Sequence, residues 1–362
     1  MTNFEIAQQR LHNQLITRQT FEQAGDVVSW LCAVQSQDYA AAKWALGLRM
    51  QNSTDAFIEQ AFTEGTILRT HILRPTWHFV LPADIRWMLA LTAPRVIAST
   101  AYYYRTLGLD DTIFSHSNAV LAKALQGGKQ HTRTELASAL QQAGIATGNL
   151  QRIGQIIMRA ELDGIICSGA RRGKQFTYAL LDERAPQART LNREESLAEL
   201  ARRYFMSHGP ATLQDFVWWS GQTVTDARAG LGMVTSQLVH EVIDSHTYWR
   251  SASLAPANAL SQTIYLLPNF DEFTVAYTDR SAIFDMSDAE KFGTPGNVLN
   301  PTIVLDGRII GTWKRTIRKD TVHLTPNLFT SLTKAENRAL VESAKRYAAF
   351  LGMPVNVNLY SK

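Results

Sequence analysis

Two glutamines separated by one residue, in Gln35-Ser36-Gln37-Asp38, are the side chains whose type and spacing best suit chemistry. On a helix, residues two apart point in nearly opposite directions; in extended chain they share a face. Asp38 reads as the N-cap of the next helix, so the residues before it are expected to be non-helical and both amides to face one cavity. Glutamine carbonyls accept hydrogen bonds without ionising, so such a pair could orient a water. A pair at this spacing also arises by chance in a glutamine-rich chain, and spacing alone does not separate the two readings. Other catalytic signatures are missing: no Gly-x-Ser-x-Gly elbow, no phosphate-binding GxxxxGK[ST], no HExxH and no CxxC. His71 and His78 lie across a turn from each other without a third ligand, so no metal site is read there, and no cofactor motif is present.

The clearest positioning element lies from Gln130 to Leu181. Thr134 is expected to cap a helix with Leu136, Ala139 and Leu140 inward, stopped by Gly144. A second helix, from about Asn149 to Leu162, carries Leu150, Ile153, Ile157 and Ala160 on one stripe and ends at Gly164. Two β-rich runs follow, Ile165–Cys167 and Gln175–Leu180, joined by the basic turn Gly169-Ala170-Arg171-Arg172-Gly173-Lys174. Helix, turn, helix and hairpin read as a winged helix, with the second helix in the recognition position and Arg171, Arg172 and Lys174 placed to touch phosphates. The alternative is a small α+β unit with a solvated basic turn.

The segments before it repeat the theme. Helices are expected over Phe4–Leu15, with Phe4, Ala7, Leu11 and Leu15 inward, after an Asp26 cap, over Ala40–Leu48, and from Ser53 or Thr54 to Gly65. Extended runs Thr66–His71 and Thr76–Val80 follow, flanking Arg74-Pro75, and Pro82 opens a helix with Trp87, Met88 and Leu91. This is a first winged-helix unit over residues 1–105, with Arg69, Arg74, Trp77 and His78 on its hairpin. The arginines read as phosphate contacts or as salt-bridged surface residues, and Trp77 as core or as a stacking platform. In an extended run His78 faces away from Trp77.

Residues 96–117 read as a connector, and a helix from Asn118 opens the second unit, 117–185. A third, weaker unit spans 190–260, with a helix over Glu194–Ser207, a Thr212 cap with Asp215 at its third position, a helix start at Thr225 and a strand over Leu238–Ile243. Trp218 and Trp219 are assigned to packing. From residue 262 to 362 the chain turns β-rich, with strands over Tyr265–Pro268, Thr302–Leu305, Arg308–Lys314, Thr321–Leu324 and Val355–Leu359, turns at Asp306-Gly307 and Pro326-Asn327, and one helix over Lys334–Leu351. Asp271 and Glu272 read as a turn or an interdomain contact, with a catalytic role as the other option. The fold class is therefore α+β: tandem winged-helix units followed by a β-rich carboxy-terminal domain.

The totals agree with a globular chain. Its 362 residues are 45% hydrophobic and 19% charged, with a net charge of +4 that permits a nucleic-acid partner. Cys32 and Cys167, each in an apolar segment, suit buried thiols in a reducing cytoplasm. No run reaches bilayer length and no signal-peptide core is seen, so a cytosolic protein, with no membrane association, is expected.

Gln35-Ser36-Gln37-Asp38-Tyr39, Arg74-Pro75-Thr76-Trp77-His78-Phe79-Val80, the Arg159–Leu181 wing, Asp215–Gly221, Leu267–Phe273 and Gly311–Arg315 together resemble the AlkZ/YcaQ family of DNA glycosylases, in order and over nearly the whole chain. The resemblance implies tandem winged helices closing on a concave DNA-binding face, and excision of alkylated purines or unhooking of crosslinks from duplex DNA. It implies that Gln35 and Gln37 are the catalytic pair, from a Gln-Φ-Gln motif in which Φ is aliphatic or aromatic. Ser36 departs from that pattern, and Asp38 directly after it is cap, base or both. A monomer acting without cofactor or metal is expected; the alternative is a non-catalytic winged-helix regulator, which would dimerise and read a palindrome.

Overall fold

A computed structural model describes residues 1–254, 257, 262–284 and 300–358. In the first unit, helices α1 (Asn3–Asn13), α2 (Ala24–Leu31), α3 (Tyr39–Gly47) and α4 (Asp55–Glu64) surround strands β1 (Val34–Gln35), β2 (Leu68–Ile72) and β3 (Thr76–Val80). The strands pair antiparallel in the order β1-β3-β2, with Gln35 opposite His78 and His71 opposite Trp77. After α5 (Ile85–Thr106) the pattern repeats: α6 (Asp111–Leu125), β4 (His131–Thr132), α7 (Arg133–Gln142), α8 (Leu150–Leu162), β5 (Ile166–Ser168) and β6 (Thr177–Leu180), in sheet order β4-β6-β5. After the short α9 (Leu181–Arg184) it repeats again as α10 (Arg193–Ser207), α11 (Leu213–Ser220), α12 (Val224–Val234) and the hairpin β7 (Leu238–Ile243) with β8 (His246–Ser251). Here the first strand has shrunk to one bridge, Ala211 to Trp249.

Each copy has the winged-helix order: helix, short strand, two helices and a hairpin that pairs back onto the short strand. N-caps fix the strand-to-helix joints, through Asp38, Thr132 and Thr212 in the three copies, the last two in full capping boxes with Glu135 and Asp215.

The carboxy-terminal part is a sheet of β9 (Ile264–Leu267), β10 (Thr302–Leu305), β11 (Arg308–Arg318), β12 (Thr321–Leu328) and β13 (Val355–Val357), with α13 (Glu272–Val275) after β9 and α14 (Lys334–Leu351) before β13. Asp306 and Gly307, both at positive φ, close the β10–β11 hairpin, a geometry that favours Asp-Gly. This sheet shares a core with the first unit: Ile6, Leu11, Trp44 and Phe62 join Leu266, Ile303, Trp313 and Tyr347. The first hairpin and the third unit share another, around Trp87, Tyr204, Phe216 and Trp219. The second unit has its own, through Leu121, Leu140, Ile156 and Tyr178. Both cysteines are buried and free, and no helix of the described residues is long and apolar enough to cross a membrane.

Several expectations need correction. Residues 96–117 are not a connector: α5 runs on to Thr106 and α6 starts at Asp111, capped by Asp110. Val96, Thr100 and Tyr104, spaced by four, are buried, and they hold the aromatic stretch helical while Tyr102 and Tyr103 face outward. Helix α5 begins at Ile85 rather than at Pro82, and α2 begins at Ala24, so Asp26 sits in its first turn and does not cap it. Thr132, not Thr134, caps α7. Leu150 is 83% exposed, because the first turn of α8 projects beyond the core that begins at Ile153. Phe4 is likewise 43% exposed. Pro326 and Asn327 lie within β12 rather than in a turn. Strand β13 pairs only with Val322 to Leu324, so Pro326 stands on a free edge where its missing N–H costs nothing. Leu359, expected to end the last strand, lies outside the described residues.

Candidate active site: a basic cleft at the glutamine loop

The loop between β1 and α3 is tied at both ends. Ser36 N–H donates to the Trp77 carbonyl at 2.7 Å, and Asp38 Oδ1 accepts from Ala41 N–H at 3.0 Å. Arg69 Nε holds the Ser36 carbonyl at 3.1 Å. Ser36 is wholly buried, and no partner for its hydroxyl appears among the described residues.

The two amides do not share one cavity as expected, because the ladder stops at Gln35 and the chain turns before Gln37. Gln37 is exposed and lines a cleft of about 440 Å³ between the first and second units. Its Oε1 lies 3.4 Å from Trp77 N–H. Gln35 is 7% exposed; its Oε1 accepts from Arg74 Nη2 at 3.4 Å, and its N–H donates to Glu272 Oε1 at 2.9 Å. Asp38 is exposed, and its Oδ2 accepts from Asn269 Nδ2 at 3.3 Å on the side away from the Gln37 cleft.

The cleft wall is cationic and aromatic: Arg69, Trp77, Arg133, Lys174 and Phe176 line it beside Gln37. Strand alternation puts Arg69 and His71 on one face of β2, and Trp77 lies against both. The Arg69 guanidinium is 4.4 Å from the indole centre and the His71 ring 4.1 Å. His71 Nδ1 is hydrogen-bonded to Glu161 of α8, which binds the first unit to the second. Burial lowers the pKa of Arg69 to about 10 and also lowers that of Arg74. His78 turns to the opposite face from Trp77, as expected, and is 1% exposed with Nδ1 3.0 Å from the Thr76 carbonyl. Burial, with Arg74 adding to it, pushes its pKa down to about 4, so it is neutral near pH 7.

On the wing, Arg171 reaches Glu59 of α4 at 3.5 Å, and Arg172 takes Glu135 at 2.7 Å and the Gln130 carbonyl at 2.8 Å. Lys174 is exposed at the cleft rim. Arg74 Nη1 donates to the Trp218 carbonyl at 3.3 Å. Trp219 packs as expected; Trp218 is 43% exposed with the Arg74 guanidinium 5.5 Å from its ring, so packing is only part of its role.

Sequence reasoning missed Arg133, at the start of α7, because the helix start was placed two residues late. Glu272 makes the interdomain contact read for it, with partners the sequence did not name. That carboxylate, 1% exposed, accepts from Gln35 N–H and from Trp219 Nε1 at 3.0 Å, and faces His208 Nε2 at 3.5 Å. Burial raises its pKa, but the His208 and Gln35 interactions outweigh that and hold it below the usual carboxylate value.

An exposed amide in a basic cleft between winged helices is the layout of a protein that works on nucleic acid. The family model for AlkZ-like DNA glycosylases matches residues 28–350, and the chain belongs to that family. An interstrand DNA cross-link repair glycosylase of Streptomyces sahachiroi is 22% identical over 318 residues, covering 84% of this chain and 85% of its own. The solved structure of the Streptomyces sahachiroi DNA glycosylase AlkZ superposes with a TM-score of 0.79 at 20% identity, over 99% of this chain and 100% of that one. The tandem winged-helix fold is thereby shared along the whole length.

Proposed function

We propose that this chain is a monofunctional glycosylase that hydrolyses the N-glycosidic bond of alkylated purines in duplex DNA, including 7-alkylguanine adducts and interstrand crosslinks. The observation that carries the proposal is the exposed Gln37 amide within a cleft lined by Arg69, Arg133 and Lys174. Alkylation of a ring nitrogen makes the purine a cationic leaving group, so the bond is already weak. What remains is to orient a water and to favour an oxocarbenium-like sugar with acceptor dipoles. Gln37 supplies both without ionising, and Gln35, held between Arg74 and Glu272, fixes the loop behind it. A site without a strong base leaves ordinary purines intact, so selectivity comes partly from the substrate's own reactivity. The cationic wall and Lys174 take the phosphates, and the half-buried Trp77 stands in the cleft wall for a sugar or base. The relative's crosslink-repair name supports the same substrate class.

The test is release of base from a duplex carrying a single 7-methylguanine. Wild type is expected to release it; Gln37→Ala, alone or with Gln35→Ala, is expected to lose at least ~100-fold, the scale of one oriented catalytic dipole. Undiminished release by the double variant would discard the mechanism. A duplex affinity that stays flat between low and moderate salt would discard the DNA reading altogether.

A further inference from the structure

Gln35 and Gln37 do not share a cavity, and each has an arginine–tryptophan pair beside it. Gln37 lines its cleft with Arg69 and Trp77, whereas Gln35 accepts from Arg74, whose guanidinium is 5.5 Å from the Trp218 ring on the third unit. We propose that Trp218, with Arg74, Arg95 and Arg280, is a second DNA-binding surface, which takes the sugar-phosphate backbone on the flank of the lesion away from the Gln37 cleft. The inference rests on the glycosylase reading and gives its substrate a second point of grip, on the third unit.

The four side chains are tied into one junction. The β2–β3 turn sits on the end of α11, where Gly221 takes φ +68° and a Cβ would stand 2.5 Å from the Leu73 carbonyl. Arg74 spans this junction, from Gln35 to the Trp218 carbonyl. Arg95, exposed on α5, donates through Nε to the Gly221 carbonyl at 2.6 Å. Arg280, half-buried after α13, donates through Nε to the Thr274 carbonyl at 2.9 Å, and Trp218 Nε1 to the adjoining Val275 carbonyl at 2.9 Å. The exposed indole is thus fixed with its donor used, so what it offers a partner is ring surface.

None of the three arginines has an ion pair among the described residues, unlike Arg171 and Arg172 on the second wing. The carboxylates whose charge acts on them are committed elsewhere. Glu272, which acts on Arg74, is held by Gln35, Trp219 and His208. Asp226, which acts on Arg95, pairs with Arg193 at 2.7 Å. Asp215 and Asp279, which act on Arg280, are taken by Arg10 at 3.7 Å and by Ser281 N–H at 2.9 Å. Cations left without an anion around a fixed ring suit phosphates, with the indole against a deoxyribose, since the base faces of a duplex are stacked out of reach. The helices in the recognition position do not offer base readout instead. In the first unit α4 carries Asp55, Glu59 and Glu64, and in the second α8 is buried from Ile156 to Met158 and from Ala160 to Leu162.

Anisotropy of a labelled undamaged duplex across a salt series reads the surface without base release. Arg95→Gln with Arg280→Gln should lower the slope of log affinity against log salt by about 1.8, two phosphates at ~0.9 each. Arg95→Gln alone, at an exposed position, should lower it by about 0.9 and decides the matter if the double variant does not fold by circular dichroism. Trp218→Ala should bind about tenfold more weakly at unchanged slope, with Trp218→Phe restoring part of the loss, because ring contact and not charge is removed. Hydroxyl-radical footprinting uses a duplex with one central 2′-fluoro-7-methylguanine, whose glycosidic bond resists cleavage. Wild type should protect sugars on both flanks, and the arginine variants should lose protection on one flank alone. A one-sided wild-type footprint, or a slope and footprint unchanged in the folded arginine variants, overturns the proposal. A wild type that releases 7-methylguanine but protects one flank keeps the glycosylase reading and loses the surface. A two-sided footprint that narrows in the variants, with no base released by wild type, keeps the surface and loses the glycosylase reading.

Discussion

A carboxylate taken out of water needs partners, and Glu272 takes its partners from three places: Gln35 N–H on β1, Trp219 Nε1 on α11 and His208 after α10. Glu272→Gln keeps one acceptor for Gln35 but turns an amide N–H toward Trp219, leaving two donors face to face. The expected cost is about 1–3 kcal/mol of stability, read from the urea midpoint, because one buried donor loses its acceptor. Base release should fall by about tenfold or more, with affinity for undamaged duplex held, because Glu272 meets the loop and not the phosphates. Unchanged release would separate Gln35 from the reaction. His78 gives a prediction in pH. Its folded pKa, about 4, lies below its ordinary value of 6.5, so the unfolded chain binds the extra proton first. Stability due to its burial is complete above pH 6.5 and is lost as the pH falls toward 4, by on the order of 3 kcal/mol. His208, whose pKa is also lowered by burial, adds in the same direction. His78→Asn should flatten the fall in urea midpoint between pH 7 and pH 5; an unaltered slope would place that loss elsewhere.

Elements differ in how far the sequence declares them, and the differences follow from what sets each one. Caps and stop signals are local, so Thr212 as a cap, Thr54 as one of two cap candidates, the helix start near Asn149, and Gly65, Gly144 and Gly164 as helix ends were legible from a few residues each. The run from Ile97 to Ser117 was not, because its helix is held by a four-residue spacing of buried Val96, Thr100 and Tyr104 amid polar and aromatic neighbours. The geometry of Gln35 and Gln37 was half legible. The Asp38 cap was visible, but the end of the β1 ladder depends on β3, where Gln35 pairs with the sequence-distant His78. Wing charges were legible as charges and not as partners. Arg171 and Arg172 are tied to Glu59 and Glu135, while Lys174 is exposed at the cleft rim and has no ion-pair partner among the described residues. Lys174→Ala is therefore expected to lower the slope of log affinity against log salt by about 0.9, one phosphate contact. Arg172→Ala should change that slope less and act through the wing's anchorage to α7. Equal slopes for Lys174→Ala and wild type would remove the wing from the DNA contact.

The molecule as a whole places its site where its parts meet. The glutamine loop belongs to the first unit, the cleft wall opposite it to the second, and the Asp271-Glu272 segment that fixes the loop from behind to the carboxy-terminal part. That last junction is held by Arg49, wholly buried, whose two terminal nitrogens each lie 2.8 Å from an oxygen of Asp271. Arg49 also donates to the Gln14 and Ala45 carbonyls, so its charge has no escape to water if the carboxylate is removed. Asp271 further accepts from Phe273 N–H at 2.9 Å and starts the short helix that carries Glu272. Asp271→Ala should cost about 3–5 kcal/mol, the penalty for stranding one member of a buried pair. Replacing both members, as Arg49→Met with Asp271→Leu, should recover much of that stability, because no charge is left unpaired. Activity should not recover with it: the double variant still lacks the cap at Asp271, and Glu272 loses its fixed reach to Gln35. Urea denaturation and 7-methylguanine release, measured on the same two variants, separate these effects. Recovery of both together would mean that the junction serves only to hold the carboxy-terminal sheet in place. Stability returning without base release would show that the sheet also sets the glutamine loop.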